Sequence, residues 1–258
     1  MSTESFESQL QTAAERELMG WDFTWLNERT REEPLPWNYR ELVLERMRGV
    51  QSLLDVGTGG GEFFASLFQP PDSRPVPPVT LATEGYAPNV PLARQTLEPL
   101  GIQVADVSEQ EGRLPFVDNT FELVIDRHEG ITGEELFRIL RPGGRYLTQQ
   151  VGGLNCVELN RFLGGDEPLY IESLLEQETQ KLHDAGLRIL EAREALPRWT
   201  FLDLAGVIFY LKVIPWQMPD FSVEKYHGKL QEIHQIIQRE GGFTVHEHRL
   251  LIEAEKPG

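Results

Sequence analysis

The chain has 258 residues, of which 24 are basic and 41 acidic, so its formal net charge is −17. Proteins that hold nucleic acid neutralise phosphates with lysine and arginine, and this balance therefore argues against DNA or RNA as a partner. The stretches 1–50, 51–150 and 151–258 carry −4, −7 and −6, so no third of the chain is basic. Hydrophobic residues make up 40 %, which is enough for a sizeable core.

The compartment follows from cysteine content and hydropathy. The chain holds one cysteine, Cys156, which excludes an intramolecular disulfide. The first ten residues lack a basic stretch followed by an apolar one, so we expect no signal peptide. The most apolar stretch, 202–215, is shorter than the ~20 residues that a membrane helix needs. We therefore expect a cytoplasmic protein without a membrane partner.

The first 50 residues predict helices, with a break at Pro34 and Pro36. From residue 51 onward, short apolar runs alternate with helical segments, which predicts βαβ units and a parallel sheet. The predicted strands of this region cover 52–56, 79–83, 103–107, 121–126 and 145–151. The predicted helices cover 41–48, 62–68, 89–100 and 133–140.

Beyond residue 151 the spacing loosens. We predict helices over 171–185, 200–213 and 223–239 and strands over 187–194 and 243–254. The fold class is therefore α/β, with a doubly wound, mostly parallel seven-stranded sheet and helices on both faces. We predict one domain over 1–258, made of a helical cap (1–50), a Rossmann-like core (51–195 and 241–258) and a helical insertion (196–240).

A glycine-rich loop joins the first predicted core strand to its helix, in the segment 53–62 (LLDVGTGGGE). A dinucleotide loop of the form G-x-G-x-x-G would need glycine at position 62, where the chain has Glu62. That glutamate would also repel a pyrophosphate at the helix N-terminus. The pattern D-x-G-x-G-x-G is matched in full, by Asp55, Gly57, Gly59 and Gly61.

In this motif the chain resembles the class I S-adenosylmethionine (SAM) dependent methyltransferases, and it is similar to those of type 11. Acids follow at the ends of the next three strands, and 140–147 (LRPGGRYL) matches the turn into the fifth strand of that family. The resemblance is specific over 51–150 and general elsewhere. It implies SAM as the cofactor, whose sulfonium and ammonium groups suit an acidic loop. A nicotinamide dehydrogenase remains the alternative.

The resemblance also implies roles for individual residues. Glu84 would accept hydrogen bonds from ribose hydroxyls, although this also holds for NAD. Asp106 would accept from the adenine amino group, with the amide of Val107 on the ring. Asp55 either contacts the ligand or hydrogen-bonds within the loop. The predicted cofactor-binding residues are Asp55, Gly57, Thr58, Gly59, Gly61, Glu84, Gly85, Asp106, Val107, Asp126 and Arg127.

The segment 126–129 (DRHE) bears on the chemistry. His128 is the candidate general base, since histidine titrates near neutrality. The alternative is a loop histidine that packs or binds backbone. Family members that methylate exocyclic amines of bases carry an Asn/Asp-Pro-Pro-aromatic motif here, which this chain lacks. We find no cluster of acids and amides for a metal, and predict no metal site.

The predicted cap and insertion are aromatic and, with the residues beside them, hold all five tryptophans, namely Trp21, Trp25, Trp37, Trp199 and Trp216. These side chains either pack the helical segments or line a closed pocket for a small acceptor. We therefore predict a SAM-dependent methyltransferase that acts on a small molecule. The alternatives are a SAM-binding regulatory protein without turnover and, with less support, an RNA or protein methyltransferase. The sequence leaves the oligomeric state open.

Overall fold

The computed structural model describes residues 4–16, 23–70, 74–110 and 112–258. Within these ranges the chain divides into two compact units. The first unit is drawn from Met1–Pro36, Val151–Leu174 and Ala195–Arg249. The second is drawn from Trp37–Gln150, Leu175–Glu194 and Leu250–Gly258. A single domain over 1–258 stays a prediction.

The elements are numbered in chain order. The α-helices of the described ranges are α1 (Phe6–Glu15), α2 (Tyr39–Arg46), α3 (Glu62–Ser66), α4 (Val90–Leu97), α5 (Gly133–Ile139), α6 (Val157–Leu163), α7 (Leu175–Asp184), α8 (Leu204–Val213) and α9 (Val223–Glu240). The strands are β1 (Thr30–Glu32), β2 (Ser52–Val56), β3 (Val79–Glu84), β4 (Gln103–Asp106), β5 (Phe121–Arg127), β6 (Leu140–Val151), β7 (Arg188–Ala195), β8 (Arg198–Phe201), β9 (Phe243–His246) and β10 (Arg249–Glu255).

Seven of the described strands form one mostly parallel sheet, in the order β4-β3-β2-β5-β6-β10-β7. The pairs β2–β3, β3–β4, β2–β5 and β5–β6 are parallel. Strand β2 is buried along its whole length, as its apolar run predicts. The chain continues from β2 to β3 on one side, while β5 lies on the other, so the strand order reverses beside β2. Ligands of such sheets bind at the carboxyl ends of the strands at this switch point.

The first unit contains a three-stranded antiparallel sheet, in the order β1-β8-β9. The segments predicted as helical cap and helical insertion are mainly helical, but each also contributes a strand. The helix predicted over 200–213 begins only at Leu204, where the Asp203 carboxylate accepts from the Gly206 amide at 2.8 Å. Trp199 and Phe201 are buried and alternate with more exposed neighbours, which is the period of a strand.

The last predicted strand, 243–254, is in fact two strands in different sheets. Strand β9 alternates between buried and exposed residues, as expected where one face of a sheet is covered. Strand β10 is buried at five consecutive positions, as expected inside a sheet covered on both faces. The short helix α6 was not predicted, and the predicted helix 171–185 begins four residues before α7 does.

The aromatic residues of the first unit form its core. One cluster of buried and partly buried side chains holds Trp25, Trp199, Phe201, Phe209, Tyr210 and Phe221. This agrees with the interpretation that these side chains pack the helical segments. Trp37 belongs to the second unit, and Trp21 lies outside the described residues. None of the helices in the described ranges has both the length and the apolar character that crossing a membrane requires.

Candidate functional site

The glycine loop lies at the carboxyl end of β2 and is fastened to β3. Gly57, Gly59 and Gly61 have φ angles of +64°, +63° and +85°, which glycine adopts without steric cost. The amide of Gly57 donates to the Thr83 hydroxyl at 3.2 Å, and the amide of Thr58 donates to the Thr83 carbonyl at 2.9 Å. These bonds set the loop beside the end of β3, where Glu84 follows.

Glu129 explains why position 57 must be glycine. A Cβ added at Gly57 would lie 2.4 Å from both Cβ and Cγ of Glu129, so the loop after β5 packs directly on the glycine loop. A Cβ at Gly61 would lie 2.8 Å from Leu97, which brings α4 against the start of α3. The sequence motif after β5 contains Glu129 but indicates no role for it. Only the packed structure shows its contact with Gly57.

Gly57→Ala should destabilise the protein more than Gly59→Ala. Both variants place alanine at a positive φ, which costs ~1–2 kcal/mol. At Gly59 a Cβ meets nothing within 4 Å, whereas at Gly57 it overlaps Glu129. We expect a loss of about 3 kcal/mol for Gly57→Ala and about 1 kcal/mol for Gly59→Ala in urea unfolding. Equal losses would show that Glu129 moves away at no cost, and Gly57→Ala with Glu129→Gly should recover the difference.

Glu84 joins the two strand ends through its carboxylate. One oxygen accepts from the Gly59 amide at 2.6 Å, and the other accepts from the Tyr86 amide at 2.7 Å. Burial raises the pKa of Glu84, while the backbone donors of Tyr86 and Gly59 oppose this shift. A carboxylate offers about four lone-pair positions, so each oxygen can accept a further bond from a ligand.

The other predicted adenosine-binding residues follow β3 and β4. Asp106 is exposed, and one of its oxygens accepts from the Ser108 amide at 3.0 Å and the Ser108 hydroxyl at 2.6 Å. The Val107 amide donates to the Glu84 carbonyl at 3.0 Å, so this amide is already engaged between the strands. Gly85 is exposed, and a Cβ there would come no closer than 3.9 Å to Val107. Space for a ligand therefore lies beside Gly85.

The carboxylate of Asp126 lies inside the protein. One carboxylate oxygen accepts from the Tyr146 hydroxyl at 2.7 Å, and the other accepts from the Glu129 amide at 3.2 Å. The Tyr39 hydroxyl donates to the Asp126 carbonyl at 2.9 Å. The Asp126 side chain is fully buried. Its carboxylate therefore shapes the turn into Arg127, His128 and Glu129, and its predicted contact with the cofactor remains a prediction.

Four carboxyl groups at this edge of the sheet, Asp55, Glu84, Asp126 and Glu129, have raised pKa values, mainly because they are buried. Burial raises the pKa of Asp55 to about 7, with Asp126 and Glu84 adding to the shift, while the Thr58 hydroxyl and Arg127 oppose it. Burial also raises the pKa of Asp126 to about 7, and Glu129 adds to that shift. The pKa of Glu129 is itself raised by burial. An added positive charge would stabilise the ionised forms of all four acids, so the site favours a cationic ligand.

Asp126→Asn should remove part of the pH dependence of stability. A carboxyl whose pKa rises from 3.8 to about 7 on folding binds more protons folded than unfolded. The free energy of unfolding therefore falls as pH rises from about 4 to about 7, and levels off above. We expect Asp126→Asn to be more stable than the wild type at pH 8, by on the order of 2 kcal/mol, and to lose this advantage at pH 5.

The control is Asp118→Asn. Arg138 lowers the pKa of Asp118, so the ionised form of this exposed carboxyl is favoured by folding. The variant should be slightly less stable than the wild type at pH 8, which is the opposite sign. Chemical unfolding at several pH values measures both. If Asp126→Asn destabilised the protein equally at pH 5 and pH 8, Asp126 would be ionised throughout.

Arg127 and His128 follow Asp126 at the end of β5, and both are exposed. The Arg127 guanidinium lies over the Phe63 ring, 4.4 Å from its centroid, and Tyr39 stacks on the same ring with centroids 5.7 Å apart. His128 has a φ of +68°, and its backbone amide donates to the Gln149 carbonyl at 3.0 Å. Its ring Nε2 lies 3.4 Å from the amide nitrogen of Gln149.

Hydrogen bonds and charge interactions thus join most of the predicted site residues, whereas Asp106 is bonded within its own turn. The glycine loop and Glu84 are joined by hydrogen bonds, and Asp55, Asp126 and Arg127 interact with one another through their charges. Asp106 is held instead by Ser108 in its own turn. Five further side chains shape this end of the second unit and carry no sequence signal, because their positions depend on tertiary packing: Tyr39, Phe63, Glu129, Tyr146 and Gln149.

Comparison with known proteins agrees on the architecture. No protein-family model and no curated protein matches the sequence. A candidate methyltransferase of Bacillus halodurans superposes with a TM-score of 0.55 at 19 % identity, covering 84 % of this chain and 98 % of the other. The chain has the Rossmann-like fold of this methyltransferase candidate. This confirms the predicted fold class, a doubly wound, mostly parallel seven-stranded sheet with helices around it.

Two further solved structures extend over nearly the whole chain. A functionally unknown protein of Deinococcus radiodurans gives a TM-score of 0.58 at 14 % identity, covering 97 % of this chain and 99 % of that one. A structure of a Haloferax volcanii methyltransferase candidate with its Trm112 activator gives 0.50 at 18 % identity, covering 100 % of both chains. At these identities the likeness concerns the methyltransferase fold, and the chemistry rests on the residues of this chain.

Proposed function

We propose that the protein is a SAM-dependent methyltransferase that acts on a small-molecule acceptor. The observation that carries this proposal is the hydrogen bond between the Glu84 carboxylate and the Gly59 amide, at 2.6 Å. It sets an acid that can bind ribose hydroxyls against a glycine loop, at the point where the strand order reverses. The methyltransferase fold of the solved structures supports the same proposal.

The residues of the site suit SAM. A Cβ at Gly59 would meet nothing within 4 Å, so a ligand can approach the loop backbone there. The surrounding carboxyl groups favour positive charge, and SAM has a sulfonium and an ammonium group. NAD would bring a pyrophosphate to the helix that begins at Glu62, where a carboxylate already stands. The residues of the site therefore match SAM better than they match a dinucleotide.

Catalysis in such a site consists mainly of positioning. When bound, SAM would supply a methyl group on a good leaving group, since breaking its carbon–sulfur bond releases the neutral thioether S-adenosylhomocysteine. The glycine loop and Glu84 would bind the adenosine part, with the Asp106 carboxylate proposed for the adenine amino group. The buried Asp55 and Asp126 stabilise positive charge at the carboxyl ends of β2 and β5. Holding donor and acceptor in line lowers the entropic cost of transfer.

Calorimetric titration with SAM, S-adenosylhomocysteine and NAD tests the cofactor. We expect binding of the first two and none of NAD. Binding of NAD without SAM would instead establish the nicotinamide alternative. Incubation with labelled SAM and a fractionated metabolite extract then tests turnover. Tight SAM binding without transfer to any fraction would favour the alternative of a SAM-binding regulatory protein.

The proposal of a small organic acceptor rests on the net charge of the protein. The net charge of −17 disfavours a polyanionic acceptor, which weakens the RNA alternative. A labelled product that stays with the low-molecular-weight fraction after ultrafiltration is the expected result. Label retained on macromolecules would support an RNA or protein methyltransferase. A cytoplasmic location remains a proposal that rests on the single cysteine, which is buried.

A further inference from the structure

Three side chains of the second unit, Trp37, Gln149 and His128, form a hydrogen-bonded series that ends on the ring of His128. The indole N–H of Trp37 donates to Oε1 of Gln149 at 2.9 Å. Nε2 of Gln149 lies 3.4 Å from Nε2 of His128. Trp37 and Gln149 are buried, with exposures of 9 % and 7 %. Trp37 and Gln149 are therefore held inside the protein, while His128 lies at the surface of the site.

The chemistry of these groups determines where the imidazole proton sits. An indole N–H can only donate, so the atom of Gln149 that faces Trp37 must be the carbonyl oxygen. The NH₂ group of Gln149 therefore faces His128, and it too can only donate. Nε2 of His128 must then supply the lone pair, so the neutral ring carries its proton on Nδ1.

The backbone holds His128 in the same place. Its φ of +68° is in the left-handed region, which costs free energy for a residue other than glycine. Such a conformation persists where the surroundings over-determine it, and it is frequent at functional sites. Here the backbone bond from His128 to the Gln149 carbonyl, at 3.0 Å, fixes the residue at the end of β5. Gln149 thus holds both the backbone and the ring of His128.

We propose that Trp37 and Gln149 are positioning residues that keep His128 neutral and protonated on Nδ1, so that it acts as a hydrogen-bond donor to the acceptor. A general base needs an available lone pair, and the lone pair of Nε2 is turned to the Gln149 amide. Protonation of Nε2 would set two N–H groups against each other. This inference deepens the proposed function and rests on it. It predicts an acceptor with a hydrogen-bond-accepting oxygen or nitrogen and no need for an enzymic base.

Long-range ¹⁵N–¹H spectra of the histidine rings test the tautomer in the ligand-free protein. At pH 8 we expect His128, assigned by its loss in His128→Asn, to show a protonated Nδ1 and an unprotonated Nε2. Gln149→Glu should invert this pattern, because a carboxylate accepts from both Trp37 and His128. The added negative charge should also favour the imidazolium form of His128. Melting curves check that both variants are folded.

A wild-type ring protonated on Nε2 would overturn the proposal, and so would a Gln149→Glu variant with the wild-type pattern. Activity provides a second measurement once an acceptor is known. Asparagine tolerates a positive φ and carries an N–H near the position of Nδ1. His128→Asn should therefore keep most of the activity that His128→Ala loses, whereas equal loss in both would indicate a base. The spectra need neither cofactor nor acceptor, so failure of methyl transfer would leave the tautomer result standing.

Discussion

Glu84→Ala should weaken SAM binding by about two orders of magnitude. The variant loses the carboxylate that is proposed to accept from two ribose hydroxyls, and hydrogen bonds to a charged group contribute about 1.5–3 kcal/mol each. Glu84→Gln should lose nearly as much, because one acceptor oxygen becomes a donor and the negative charge is removed. Calorimetric titration of SAM into the three proteins measures the effect. Equal loss of SAM affinity in the two variants would show that the lost carboxylate, and not the smaller side chain, causes the effect.

The matched control for this experiment is Glu109→Ala. Glu109 is exposed and lies in the turn after Asp106, so the substitution removes the same charge outside the hydrogen-bonded loop. Its effect on SAM affinity should stay within about twofold, since exposed charges are screened. His128→Ala should also spare the affinity. If Glu84→Ala bound SAM as tightly as the wild type did, the ribose would not lie at the end of β3, and the proposed cofactor site would be wrong.

Lys256→Met should cost about 3 kcal/mol of stability. The Lys256 ammonium is buried and donates to three oxygens, the Asn119 side chain at 2.7 Å and the carbonyls of Phe137 and Leu140 at 2.7 and 2.9 Å. The last two carbonyls lie at the end of α5, where a cation also stabilises the helix dipole. Methionine fills a similar volume but leaves these oxygens without a donor, which costs about 1–3 kcal/mol for each buried group.

Urea unfolding compares this variant with Lys181→Met. The Lys181 side chain is 65 % exposed and pairs with Glu178 on the neighbouring turn of α7, so its replacement should change stability by less than about 0.5 kcal/mol. Hydrogen exchange should locate the loss of protection for Lys256→Met in α5 and the start of β6. Equal stability of the two variants would mean that water replaces the ammonium at no cost, contrary to the buried geometry.

The sequence by itself determined the central architecture. Short apolar runs separated by glycine turns placed β2 to β5 within one or two residues, since a strand covered on both faces must be apolar throughout. The motif from Asp55 to Gly61 led to the methyltransferase fold because glycine is needed wherever the backbone turns at positive φ. Asn119, just before β5, has a φ of +56°, which asparagine tolerates better than most residues.

Pairing between distant segments decided the rest. Residues 198–201 are too few to show a strand period beside the apolar run of α8, and they become a strand because β1 and β9 supply partners. For the same reason 243–254 divides between two sheets. The local sequence pattern gives no sign of this division.

The site shows the same division between sequence and tertiary structure. The motifs identified Glu84 and Asp126 by position, but not that the Glu84 carboxylate would bind the glycine loop or that the Asp126 carboxylate would be enclosed by Tyr146 and the Glu129 amide. Those contacts join residues 20 or more positions apart in most cases, and they arise only when the strands pack side by side. The net charge of −17 argued against nucleic acid as a partner, whereas only the tertiary structure showed which carboxyl groups are buried together and have their pKa raised.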